Sequence, residues 1–126
     1  MKRVVVAVCL LVAAVTAGIT LNVTLCRACD ELGAEMAAVQ SLAEQGDAQG
    51  AAARFEEAYR TWEKRSLLFH GLVDHGLMTE AEISLGEARH AAQTGDLETL
   101  ADEADDCVQT FYHIKVSSEP TAGNIF

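Results

Sequence analysis

The 126-residue chain has a formal net charge of −10 and a single proline, which leaves room for one domain and little else. All 19 Asp and Glu lie at or beyond Asp30, against seven Lys and Arg beyond Leu25, so that part of the chain carries a net −12. Such an excess argues against nucleic-acid binding, which draws its affinity from Lys and Arg displacing counterions, and sets the domain as a whole against an anionic lipid surface.

Met1-Lys2-Arg3 is followed by an uncharged run from Val4 to Leu25, with Leu11 and Ile19 among its apolar members and Asn22 as its most polar one. As a helix this run would extend about 33 Å, slightly more than the ~30 Å hydrocarbon core of a bilayer. It therefore reads as a single transmembrane anchor over residues 1–25. Lys2 and Arg3 would keep the N-terminus in the cytoplasm, with the rest of the chain outside the cell membrane. The alternative is a signal peptide cleaved after Ala17, which would release a secreted protein. Against that alternative, Ile19, Leu21, Val23 and Leu25 continue the apolar run past the cleavage point. Leu25 before Cys26 is too large for lipoprotein processing. Either way the domain is expected outside the cytoplasm.

The remainder is expected to be all-α, an acidic antiparallel bundle of about four helices over residues 26–114. Its sequence has no long strand-like alternation, and its apolar residues recur at three- and four-residue steps. The first helix is expected to continue the anchor through Cys29, Leu32, Met36, Val39 and Leu42 to Gly46. Asp47 then caps a second helix with Phe55, Tyr59, Trp62, Ser66, Phe69 and Val73 on one stripe. Thr79 is the predicted cap of a third helix, with Glu82 as its capping-box partner and Ala81, Leu85, Ala88 and Ala92 on the inner face. Gly95 ends that helix, and Asp96 caps a fourth carrying Leu100, Ala104, Val108 and Phe111. The segment 115–126 is expected to be a loop-like tail ending in the apolar pair Ile125-Phe126.

An internal similarity runs through this pattern. Ala43-Glu44-Gln45-Gly46-Asp47 corresponds to Ala92-Gln93-Thr94-Gly95-Asp96, and at the same spacing Ala52 meets Ala101, Tyr59 meets Val108 and Trp62 meets Phe111. The expectation is two helical hairpins, each bent at a Gly-Asp turn.

Several features taken together resemble the bacterial domain-of-unknown-function family 4363 (DUF4363). They are the basic-apolar N-terminus, Trp62, Val73-Asp74-His75 followed by Glu80-Ala81-Glu82-Ile83-Ser84-Leu85, and His113-Ile114 with the ending Asn124-Ile125-Phe126. The resemblance implies a short membrane-associated protein, and it implies no activity. Gly86 and Ala88 depart from it, standing where bulkier helix formers are expected.

Chemistry-bearing residues are few. Asp74, His75, Glu80 and Glu82 form the most site-like group, a candidate corner for a divalent cation or small ligand, although carboxylates there also suit a helix N-terminus. Glu87-x-x-His90 is one half of a di-iron pattern whose second copy is missing. Cys26-x-x-Cys29 lacks both the βαβ setting of a redox pair and the further ligands of a zinc site. Glu98, Asp102, Glu103, Asp105 and Asp106 lack the spacing of a calcium loop and read as a solvated face. No nucleophile elbow, phosphate loop or metalloprotease motif occurs. The expectation is a non-enzymatic accessory protein without cofactor. It would hold the bilayer through its first helix. Phe55, Tyr59, Trp62 and Phe69 read first as core, and a partner protein would dock on whatever part of that stripe, such as Trp62 and Phe69, is left exposed, or on Ile125 and Phe126 if these do not pack back onto the bundle.

Overall fold

The computed structural model describes residues 1–118, and these form four helices. Helix α1 spans Lys2–Glu44, α2 Ala48–Leu72, α3 His75–Thr94 and α4 Leu97–Ser118. The chain runs up, down, up and down, with each helix packed on its sequence neighbours and α1 closing the ring against α4. Around the ring, the α1–α4 contact is the most extensive and the α2–α3 contact the least. The product is an all-α four-helix bundle, and its core is one contiguous cluster with contributions from all four helices.

Two of the three turns use the same device. Gly46 and Gly95 both take a left-handed backbone, with φ of 81° and 74°, which an L side chain would strain. The next residue is an Asp in both cases. Asp47 Oδ1 accepts from the Gly50 amide at 2.9 Å, and Asp96 Oδ1 accepts from the Thr99 amide at 3.2 Å. Each Asp side chain thereby satisfies a free amide at the start of the helix that follows, while its own backbone amide donates to a carbonyl of the helix before, Asp47 to Leu42 and Asp96 to Ala91, both at 3.0 Å.

The third turn is tighter than expected from the sequence. Helix α3 begins at His75 rather than beyond Thr79, and its N-cap is Asp74, whose Oδ2 accepts from the Gly76 amide at 3.0 Å. Thr79 lies one turn inside α3, and its hydroxyl donates to the His75 carbonyl at 2.9 Å. The cause lies in packing. Starting the helix at His75 brings Met78 into the core, where it is 3 % exposed.

The far end of α4 also departs from expectation. Residues Lys115–Ser118, read as the start of a loop, continue the helix: Ile114 is fully buried, and the Lys115 Nζ meets Asp30 Oδ1 of α1 at 2.8 Å. Ile125 and Phe126 lie outside the described residues. Gly86 and Ala88, the positions that depart from the family resemblance, do not interrupt α3; Ala88 is fully buried.

Helix α1 has two parts. From Leu25 onward it lines the core with Leu25, Ala28, Cys29, Leu32, Met36, Val39 and Ala43, a stripe at helical spacing. Before Leu21 every residue is exposed, with Val and Leu side chains projecting on all sides. Leu25 itself is 2 % exposed and belongs to the bundle core, not to the free apolar stem in which the sequence had placed it.

Candidate functional site

The aromatic stripe of α2 is interior. Trp62 is 6 % exposed and Phe69 fully buried. With Phe111 of α4 they form a triad whose ring centroids lie 5.1 Å (Trp62–Phe69), 5.8 Å (Trp62–Phe111) and 6.0 Å (Phe69–Phe111) apart. Tilted and edge-on packing of this kind favours aromatic pairs beyond the area they bury. Trp62 and Phe69 are therefore core residues and present no docking surface. Tyr59, at the edge of the core, carries the Arg89 guanidinium over its ring at 4.4 Å.

The corner of Asp74, His75, Glu80 and Glu82 does not converge. Asp74 caps α3, and His75 opens the helix as an exposed residue. Glu82 turns to His70 of α2, with its Oε1 3.4 Å from Nε2, while Glu80 borders a shallow groove with Asp106 and His113 of α4. Positions 80 and 82 differ by roughly 200° around a helix, so they face different neighbours. Among the described residues no three His, Cys, Asp or Glu side chains come together where they could hold a metal ion. His70, which sequence reasoning passed over, is the imidazole that finds a carboxylate. Its signal was its position facing α3, which only the tertiary arrangement reveals.

A second pairing was likewise hidden. Glu103, read as part of a solvated acidic face, is half-buried between α3 and α4 and is hydrogen-bonded to the Glu87 side chain. Burial first, then that hydrogen bond and the charges of Glu87, Asp106 and Asp102, push its pKa up to about 7. Two carboxyl groups that share a hydrogen bond must also share a proton. Glu87 thus works with Glu103 rather than with His90.

The thiols are poorly suited to reaction. Burial pushes the pKa of both Cys29 and Cys107 up to about 12, so both stay protonated at neutral pH, whereas nucleophiles and metal ligands require the thiolate. Cys26, at the point where α1 leaves the bundle, points its thiol towards Asn22 Oδ1 at 3.8 Å.

The most distinctive surface is the lower end of the bundle, where α1 emerges. Leu72 at the end of α2 and Ser117 and Ser118 at the end of α4 border a cleft with Gly18, Asn22 and Leu25 of α1. Leu72 and Val116 are 42 % and 44 % exposed there. Below them projects the stem; α1 as a whole, Lys2–Glu44, is a helix long and apolar enough to cross a membrane by length and composition. Charge is distributed unevenly along the bundle. The half remote from the stem, residues 35–60 and 85–106, holds twelve carboxylates against three arginines. The half next to it, residues 26–34, 61–84 and 107–118, holds six against four Lys and Arg.

Comparison with known proteins identifies one family. The description "Domain of unknown function (DUF4363)" matches residues 19–125, which include the whole bundle. The chain belongs to the DUF4363 family. The DUF4363 match begins at Ile19, close to where α1 first meets the bundle, and leaves the basic-apolar segment 1–18 outside it. Neither the curated proteins nor the solved structures include a match to the chain.

Proposed function

We propose that this DUF4363 protein is a single-pass membrane protein whose bundle stands outside the cytoplasm and serves as a non-enzymatic accessory module, holding a partner protein at the membrane surface. The observation that carries the reading is the exposed apolar stem of α1, in unbroken helix with the bundle. In water, the exposed apolar side chains of Val4 to Ile19 around one helix would be unfavourable; in lipid the helix satisfies its own backbone and the side chains find an apolar solvent. Lys2 and Arg3 ahead of the stem favour a cytoplasmic N-terminus.

The uneven charge supports the same orientation. Acid excess concentrated in the remote half is repelled by anionic lipid, while the half beside the stem is close to balanced, so the bundle is directed away from the bilayer. Paired hairpins with matching Gly-Asp turns suit a scaffold that presents helix faces to a partner. Cation sensing through His75 has less support, since Asp74, His75, Glu80 and Glu82 are engaged separately.

Membrane fractionation with carbonate washing, protease protection and intact-mass measurement tests the reading. The expected result is a full-length product that resists extraction and whose bundle is digested only from the outer face. Release by carbonate, or a mass lacking the first 17 residues, overturns the anchor. Crosslinking in intact membranes that yields no stoichiometric protein adduct would remove the accessory role while leaving the topology standing.

A further inference from the structure

We infer that the lower end of the bundle, the Leu72 end of α2 with the Val116–Ser118 end of α4, is seated in the interfacial layer of the lipid bilayer rather than held clear of it. The inference rests on the anchored reading above. It follows from the length of helix that is free to enter lipid.

The uncharged run extends from Val4 to Leu25, but one side of its last third already runs against the end of the bundle, while Ile19, Leu21 and Val23 stay exposed on the other. Leu25 is buried in the core, and Gly18 and Asn22 border the cleft formed with Leu72, Ser117 and Ser118. Only Val4 to Ala17 lie wholly below the bundle, and 14 helical residues extend about 21 Å. The hydrocarbon layer is ~30 Å thick, and any tilt of the stem shortens its reach further. About 9 Å is therefore missing. Sinking the lower end of the bundle to the depth usual for interfacial helices, ~5–10 Å, closes that gap.

The chemistry of this end fits the location. Leu72 and Val116 expose apolar side chains, and Ser117 and Ser118 are small and uncharged. Arg27 and the α2–α3 turn with Asp74 and His75, all exposed, belong to this same end, and their polar groups suit the headgroup layer rather than the hydrocarbon. The dense carboxylates lie in the opposite half. An acidic domain can thus rest on lipid, because twelve of the eighteen carboxylates described lie in the far half and the near half is close to balanced.

The test uses the full-length chain reconstituted into phosphatidylcholine–phosphatidylglycerol vesicles, with and without bromine atoms near the carbonyl end of the acyl chains. Trp62→Phe removes the single native tryptophan and retains an aromatic core residue, and circular dichroism checks the fold. In that background Leu72→Trp and, independently, Val116→Trp are each expected to lose emission in brominated vesicles, whereas Ala53→Trp, in the remote half of α2, keeps its emission. If both lower-end reporters emit equally in the two kinds of vesicle while the protein remains in the carbonate-washed pellet, the seating is wrong and the anchor stands. A protein that washes off overturns the anchor and the seating together.

Discussion

The two parts of α1 differ in how much apolar side chain they carry, with eleven Val, Leu and Ile in Val4–Val23 against four in Leu25–Ala43, and they use it in opposite ways. In the stem, apolar groups surround the axis, and threonines return their hydroxyls to the backbone, as Thr16 does to Val12 and Thr20 to Thr16 at 2.8 and 2.9 Å. In the bundle half, Asp30, Glu31 and Glu44 occupy the outer side, and a single stripe from Leu25 to Ala43 faces inward. One helix is thus amphipathic where protein is its apolar solvent and uniformly apolar where nothing among the described residues covers it. The contrast shows that the boundary between the two surroundings is set by packing partners, α2 and α4, and falls before the end of the hydrophobic run.

The sharpest way to break this comparison is to make the same substitution in each half. Leu32→Ala empties a fully buried site and is expected to cost about 2–5 kcal/mol in bundle stability, measured by denaturant unfolding in detergent. Leu11→Ala, in the exposed stem, should leave the bundle's unfolding midpoint unchanged. Equal losses would mean that the stem folds as part of the bundle.

The sequence made the helices and two turns legible because Gly-Asp pairs impose their geometry locally: a left-handed glycine followed by a capping carboxylate needs no tertiary help. The inward stripes of α1, α2 and α4 were legible for the same reason. The start of α3 was not. Asp74 and Thr79 are both acceptable caps, Gly71 and Gly76 mimic a loop, and the choice was made by Met78 and Leu77 meeting the core. The buried role of Leu25 was masked by a long apolar run, although its spacing to Ala28, Cys29 and Leu32 already matched a bundle face. The carboxylate pair of Glu87 and Glu103 depends on the register between two helices, which no single segment encodes. As for the candidate site, the lower end of the bundle is assembled from residues 18–25, 72 and 116–118, a grouping that only the closed ring creates.

Glycine substitutions sharpen the comparison between forced and unforced positions. Gly95→Ala places a Cβ on a φ of 74° and should cost roughly 1–2 kcal/mol. Gly86→Ala, in the exposed middle of α3 with nothing within 4 Å of the added carbon, should gain roughly 0.5–1 kcal/mol. Thermal unfolding of the two variants should therefore shift in opposite directions.

Protonation distinguishes the remote, acid-rich half from the half beside the stem. Glu103 has an ordinary carboxyl value of 4.5 raised to about 7, so the folded chain holds the proton more tightly than the unfolded chain. That stabilisation is complete below about 4.5 and is lost as the pH climbs through about 7. Thermal unfolding is expected to fall in temperature between those limits. Glu103→Gln, which keeps a hydrogen-bonding side chain opposite Glu87 without the charge, should flatten the profile and raise the midpoint on the alkaline side. A profile of unchanged slope in the variant would place the titrating group elsewhere.

The smallest effect is expected where α4 meets the boundary between the two parts of α1. Lys115 and Asp30 lie 2.8 Å apart but are 31 % and 60 % exposed, so water and salt screen much of their attraction. Pairs of this kind contribute about 0.2–1 kcal/mol, and a double-mutant cycle of Lys115→Met and Asp30→Asn should return a coupling in that range that shrinks at high salt. The measurement also bears on the bilayer. If the lower end of the bundle is seated in lipid, the pair lies near the headgroups, where the dielectric falls, and the coupling should be larger in vesicles than in detergent-free salt solution would allow. A coupling that stays within the screened range and disappears at high salt in vesicles would place Asp30 and Lys115 in open water, well above the headgroups.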